Sequence, residues 1–290
     1  MENLDLRPLS LGEILDRTFT VYRRHFALFV GIAAIPQLLV LAFQLAQVFL
    51  VSAPVRTAPP AVQELQASGA SGGLVALGGL FAVVGVIVYL VAILLSNGAT
   101  VFAVSDLYLG RSITIGEALR RMRGELWALL GVLMLNGLAV MAGFFLLIIP
   151  GIFVMCRLAV SVPAALLEDL GPRTALERSY GLTKGFAGRA FLIYLLYFVL
   201  IMAASGLFQW PFIYGLELSK NDPAMIRMWT ALMQVGGFVA GILVTPVFTI
   251  ATALFYYDLR VRKEAFDLQV MMKAAGVSVP GSSGVPSMLS

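Results

Sequence analysis

LWALLGVLMLNGLAVMAGFFLLIIPGIFVMCRLAVSVPAALL, residues 126–167, is free of charge except at Arg157. A helix crosses the hydrocarbon core of a bilayer with about 20 apolar residues, so this run is long enough for two crossings. Ile149-Pro150-Gly151 stands at its centre, where the proline removes a backbone donor and the glycine permits a sharp turn. The run therefore predicts a tight hairpin of two membrane helices, over 126–149 and 151–167.

The same length argument applies outward along the chain. Charge-free runs at Phe26–Ser52, within Leu74–Ser105, at Ala190–Leu216 and at Trp229–Tyr257 each supply one span. Six spans result, roughly 26–52, 74–105, 126–149, 151–167, 190–216 and 229–257, in an all-α integral membrane fold. Composition agrees: of 290 residues, 60% are hydrophobic and 12% charged, about half the charged share of a soluble domain. Too little polar sequence remains for a separate soluble domain, so residues 1–275 are expected as one membrane domain, with a Gly/Ser/Pro-rich disordered tail over 276–290. Met1–Ser10 mixes acidic and basic residues and has no apolar core, so a cleavable signal peptide is not expected.

Lys and Arg concentrate in alternate connections. Four precede the first span (Arg7, Arg17, Arg23, Arg24) and four lie between spans two and three (Arg111, Arg120, Arg121, Arg123). Four more lie between spans four and five (Arg173, Arg178, Lys184, Arg189) and four follow span six (Arg260, Arg262, Lys263, Lys273). The opposite side has Arg56, Lys220 and Arg227. The positive-inside rule places the richer side, and with it both termini, in the cytoplasm. Basic residues set at membrane edges do not make a nucleic-acid surface.

The basic segments also resemble one another. Gly12-Glu13-Ile14-Leu15-Asp16-Arg17, Gly116-Glu117-Ala118-Leu119-Arg120-Arg121 and Arg173-Thr174-Ala175-Leu176-Glu177-Arg178 read as copies, with a degenerate fourth at Lys263-Glu264-Ala265-Phe266-Asp267. Asp106-Leu107, Asp169-Leu170 and Asp258-Leu259 precede the last three. Six spans thus become three repeats of an interfacial amphipathic helix plus a transmembrane hairpin. Ser10 with Glu13 and Thr114 with Glu117 match the capping box, and Gly171-Pro172 opens the third copy. In the first copy Leu11, Ile14, Leu15, Thr18, Phe19 and Tyr22 recur at helical spacing, as in a helix lying in the headgroup plane. Such helices either anchor the next span or present Arg23, Arg24, Arg120, Arg121 and Arg123 to lipid headgroups or a soluble partner. Asp106, Asp169 and Asp258 are expected to pair with nearby arginines such as Arg111, Arg173 and Arg260.

Arg157 is the main intramembrane candidate, since a charge in hydrocarbon costs several kcal/mol and is kept for a reason. Counted along a straight helix from Asp169, it lies roughly 18 Å from the boundary. Asn97, Asn136 and Gln37 reach about 13 to 17 Å on three other spans, which permits one mid-membrane polar cluster. Arg157 either snorkels or ties helices together through the amides, or it holds a phosphate or carboxylate headgroup. Pro36, Pro163, Pro211 and Pro246 are the residues that would kink helices open around such a site.

Catalytic patterns are missing. His25 is the single histidine, Cys156 the single cysteine, and no phosphate-binding loop or dinucleotide fingerprint follows a strand. No catalytic, metal or cofactor site is expected, and no nucleic-acid partner.

Three stretches resemble a bacterial polytopic family similar to the membrane domain of glycerophosphoryl diester phosphodiesterases. They are Arg7-Pro8-Leu9-Ser10-Leu11-Gly12-Glu13-Ile14-Leu15-Asp16-Arg17 with Tyr22-Arg23-Arg24, the segment from Ile149-Pro150-Gly151 through Arg157 to Glu168, and Tyr256-Tyr257-Asp258-Leu259-Arg260-Val261-Arg262-Lys263-Glu264. The resemblance implies a six-helix module of the bacterial inner membrane, sometimes fused to a phosphodiesterase and often standing alone. The histidines and acidic metal ligands of that hydrolytic domain have no counterpart in this sequence. The expected function is a non-enzymatic multi-pass module that binds or translocates a lipid or amphiphile, with membrane lipids as partners. The alternative is a scaffold or accessory subunit that docks a separate cytoplasmic enzyme.

Overall fold

The computed structural model describes residues 9–51, 71–219 and 222–264. The expected tail over 276–290, the end of the fourth repeat copy, Arg7, Arg56, Lys220 and Lys273 lie outside the described residues. Every regular element among the described residues is helical. In chain order these are α1 (Leu11–Arg24), α2 (Phe26–Ala46, continued by a π turn over Gln47–Val51) and α3 (Ser71–Tyr108). Then come α4 (Ile115–Leu146), α5 (Ile148–Arg157), α6 (Ser161–Glu168), α7 (Pro172–Leu182), α8 (Ala187–Leu218) and α9 (Pro223–Glu264).

Six stretches are long and apolar enough to cross a membrane: Phe26–Phe49, Gly78–Tyr108, Ile115–Leu146, Ile148–Glu168, Ala187–Leu218 and Pro223–Glu264. They turn outward a belt of large apolar side chains, Phe198, Met202 and Trp210 among them, that water would not tolerate at such density. The chain is a multi-pass membrane protein.

Helix α9 forms the axis of the bundle. From Thr249 to Leu259 every residue is buried, so no face of this segment meets lipid. α1, α2, α3, α6, α7 and α8 all pack against α9. Close approach to α8 depends on Gly236, where an added Cβ would lie 2.1 Å from the Phe208 carbonyl oxygen. Tyr108 and Tyr257 stack with centroids 4.7 Å apart, which places the ends of α3 and α9 side by side. The Leu9 amide reaches Asp258 at 2.7 Å, so the start of α1 and the end of α9 share the same end of the bundle.

The hairpin in residues 126–167 turns earlier than its proline suggests. Leu147 alone is extended (φ −173°, ψ 160°), and Pro150 falls in the first turn of α5, where its missing N–H has no intrahelical acceptor to lose. The helix therefore starts before the proline instead of stopping at it. Gly151 keeps its use in close packing: a Cβ on Gly143 would approach Gly151 Cα to 3.0 Å.

The basic segments differ in construction. α1 bends away from α2 at His25 (φ −119°, ψ 34°), and α7 is separated from α8 by a turn in which Gly185 takes φ +87°. Residues 116–123, by contrast, are the opening turns of the continuous 32-residue α4, because nothing between Arg123 and Leu126 interrupts the helix. α1 is also less peripheral than a headgroup-plane helix: Ile14 and Thr18 are buried, and the Tyr22 hydroxyl donates to the Leu243 carbonyl at 2.9 Å. Burial pushes that phenol up to about 12, so the donor persists through the physiological range.

Both capping boxes are present. Glu117 Oε2 accepts from the Thr114 amide at 2.9 Å and Thr114 Oγ1 accepts from the Glu117 amide at 3.4 Å, with the equivalent pair at Ser10 and Glu13. Thr114→Ala is expected to cost about 1 kcal/mol and to speed hydrogen exchange in the first turn of α4. Unchanged exchange there would show that packing of α4, and not the cap, sets its N-terminus.

Candidate functional site

The charged end of the bundle follows from what happens to its carboxylates. Asp106, at the end of α3, is held by Arg121 at 3.4 Å and Arg111 at 3.9 Å, and the Arg121 guanidinium also lies 4.3 Å from the Phe102 ring centre. Asp258 does not pair with Arg260 as the sequence suggested. Two residues along a helix point about 200° apart, whereas four residues bring side chains together. Arg262 accordingly meets Asp258 at 2.9 Å, and Arg189 joins from α8 at 3.3 Å. The Asp258 side chain is 0% exposed. Arg189 and Arg262 also donate to the Leu9 carbonyl, so both backbone polar groups of Leu9 are clamped between α8 and α9. Asp169 is used differently: it takes φ 53° at the end of α6, a left-handed turn that Asp tolerates, while Arg173 pairs with Glu177 at 3.0 Å.

Arg260, on the other face of α9, enters a second cluster. Arg178 grips Glu168 through two nitrogens at 2.8 and 3.0 Å and also contacts Glu264, which Arg260 reaches at 3.0 Å. The Tyr256 hydroxyl donates to Glu168 at 2.7 Å. The hydrogen bond to Glu264, then Glu168, holds the Arg178 guanidinium protonated beyond the usual arginine range. This cluster balances two acids with two bases and joins α6, α7 and α9.

Arg157 has no such balance. It ends α5, is 5% exposed, and its enclosed Nε has no hydrogen-bond partner. No carboxylate pairs with it among the described residues. Its guanidinium lies 3.8 Å from the centre of the Tyr180 ring, with Phe153 further off at 5.9 Å. A desolvated cation over an aromatic face gains about 2 kcal/mol. Removing an ion from water costs several kcal/mol even after relaxation. The aromatic contact therefore leaves part of the charge uncompensated.

The backbone around Arg157 is better served. The helix breaks over residues 158–160, and α7 folds back alongside α6 to repair it. Ser179 donates to the Arg157 carbonyl at 3.0 Å and accepts from the Val160 amide at 3.3 Å, and Thr183 donates to the same carbonyl at 2.8 Å. The break is thus a built feature in which side chains of α7 and the turn after it satisfy the Arg157 carbonyl and the Val160 amide. Pro163 lies in the first turn of α6 and has no N–H to offer the Ala159 carbonyl, four residues back within the break.

The other expected members of a polar cluster go elsewhere. Asn97 accepts from Thr249 of α9 at 3.2 Å and Asn136 donates to Ser161 of α6 at 2.9 Å. Gln37 is half-buried on α2. No hydrogen bond joins any of these four residues to another among the described residues, so the structure resolves the single expected cluster into separate helix-to-helix contacts. Arg23, Arg24, Arg120 and Arg123 are exposed, while Arg121 is engaged by Asp106.

Residues that sequence reading did not single out surround Arg157. Lys263 donates to the Gly181 and Lys184 carbonyls at 2.7 and 3.1 Å, which brings the end of α9 to the end of α7, where Ser179 and Thr183 hold Arg157. Arg189, Arg262 and Lys263 lie 5.4, 5.7 and 5.9 Å from the Phe186 ring centre. The region thus gathers basic side chains and aromatic rings at one end of the bundle. Its chemistry suits binding of an anion.

Comparison of the chain with protein-family models, with curated proteins and with solved structures returns no match.

Proposed function

We propose that this chain is a non-enzymatic membrane module that binds a lipid or other amphiphile, or moves one across the bilayer. The observation that carries the reading is Arg157, a buried guanidinium with an unbonded Nε and no carboxylate partner among the described residues. Its surroundings are apolar and aromatic, which suits an occupant that brings acyl chains with its polar group. The carboxylates of Asp106, Asp258, Glu168 and Glu264 are each tied to arginines, an arrangement suited to holding helices together.

The charge bias of the connections supports cytoplasmic termini, and the family resemblance of the Arg7–Arg24 and Tyr256–Glu264 motifs supports a bacterial inner-membrane protein of the phosphodiesterase membrane-domain type. The repeated Gly-Glu-x-Leu-type segments support descent from one helix-plus-hairpin unit used three times, with the middle copy straightened into α4.

Native mass spectrometry of the purified full chain tests the function. Wild-type protein is expected to carry co-purifying lipid, and Arg157→Ala to carry several-fold less. Equal retention by the two proteins would remove Arg157 from the reading. In the alternative, a scaffold for a cytoplasmic enzyme, capture of a soluble partner would depend on the exposed Arg120 and Arg123 and be indifferent to Arg157.

A further inference from the structure

The surroundings of Arg157 narrow the class of amphiphile, an inference that rests on the lipid-binding reading above. At their centre is the Arg157 guanidinium, 3.8 Å from the Tyr180 ring centre, with an enclosed Nε that has no hydrogen-bond partner. Lys184 and Lys263 form an exposed rim, tied together through the Lys184 carbonyl, and Tyr180 is half-exposed beside them. A neutral zwitterionic headgroup would bring a quaternary or primary ammonium into this cationic surrounding. A net-negative group would not.

The nearest acids are already committed. Asp258 carries one negative charge between two arginines, and Glu168 and Glu264 are matched by Arg178 and Arg260. Neither cluster offers a carboxylate that can turn toward Arg157 without abandoning a cation it already holds. No carboxylate among the described residues is left for Arg157, which leaves its charge open to an external anion. The donors on offer are a planar fork on Arg157 and ammonium groups on the rim, the set that suits tetrahedral phosphate oxygens. Phe186, with Arg262 and Lys263 near its ring, extends the same positive field along the end of α9.

We infer that Arg157, Lys184 and Lys263, beside Tyr180, form a binding site for a phosphate group of net negative charge, carried on a lipid headgroup. Arg157 is the selective element because it is desolvated. The rim lysines, being exposed, contribute mainly attraction and entry, and are screened by salt.

The test uses the full chain in nanodiscs of equimolar phosphatidylglycerol and phosphatidylcholine with identical acyl chains, released into detergent and weighed by native mass spectrometry. Wild-type protein is expected to retain phosphatidylglycerol over phosphatidylcholine by roughly tenfold. Arg157→Gln should bring the ratio to near one, and Arg157→Lys should keep part of it. Lys184→Gln, at an exposed position that does not threaten folding, should lower the ratio by about two- to threefold, with the remaining preference less sensitive to salt.

A wild-type ratio of one, or a full preference surviving in Arg157→Gln, overturns the phosphate site. If lipid is still bound at that point, the general amphiphile reading stands and only its selectivity is lost; if no lipid is retained by any variant, both fall. Substituting inorganic phosphate for chloride at matched ionic strength separates the sources. Retention of phosphatidylglycerol in phosphate supports the lipid headgroup as occupant, and its selective loss overturns that assignment in favour of free phosphate.

Discussion

Asp258→Asn is expected to destabilise the protein by about 3 kcal/mol. The side chain is wholly enclosed, and its charge faces Arg189 and Arg262, while one oxygen accepts from the Leu9 amide. Asparagine keeps the shape and can still accept from Leu9. What disappears is the charge, leaving two partly buried guanidiniums facing a neutral group. Removing one partner from a buried ionic set costs more than removing the set, so Arg262→Gln in the same chain should recover part of the loss. Thermal unfolding of the purified protein in detergent measures both effects. A single mutant as stable as wild type would mean that the backbone of Leu9 and solvent already satisfy the arginines.

Gly236→Ala carries an effect of similar size for a different reason. The new methyl would stand 2.1 Å from the Phe208 carbonyl oxygen and 2.8 Å from its carbon. These are backbone atoms of α8, so a rotamer change cannot relieve the clash. The two helices must separate along a stretch that α8 uses for most of its contact with the bundle, at a cost of about 3 kcal/mol. Gly237 and Gly241 provide internal controls. At Gly237 the nearest neighbour is the Gln209 side-chain nitrogen at 3.1 Å, which can move, and at Gly241 nothing lies within 4 Å. Gly241→Ala should leave stability unchanged or raise it by roughly 0.5 kcal/mol through helix propensity. The expected order of unfolding temperatures is therefore Gly241→Ala, then Gly237→Ala, then Gly236→Ala. Equal behaviour of the three would show that α8 and α9 pack more loosely than their closest atoms suggest.

The number and kind of helices were legible because hydrophobic length is a property of each segment alone. The capping boxes at Ser10 and Thr114 were equally local, and both are found in place. Partner choice was less legible, because it depends on which way each helix faces. Asp258 illustrates this: Arg260 is nearer in sequence, yet Arg262 and the distant Arg189 hold it. Arg157 stood out in the sequence, but its neighbourhood did not. Its position was counted along a straight helix from Asp169, whereas the chain breaks after Arg157 and α7 returns beside it. A signal for that return was available in Ser179 and Thr183, two hydroxyls one helical turn apart beside a serine-free apolar stretch, but such pairs are common on helices that repair nothing.

The backbone of Leu9 is bound to residues synthesised long after it. Its partner Asp258 lies 249 positions downstream. At about 5 to 20 residues per second, the N-terminal segment waits between about 12 and 50 s after its own synthesis before the contact can form. During that interval α1 lacks its tie to α9, and Arg189 of α8 emerges before the aspartate that neutralises it. Closing of the clamp thus requires that synthesis has passed Arg262 in α9. A chain stopped short of Asp258 would have neither the tie that holds Leu9 nor the carboxylate that neutralises Arg189.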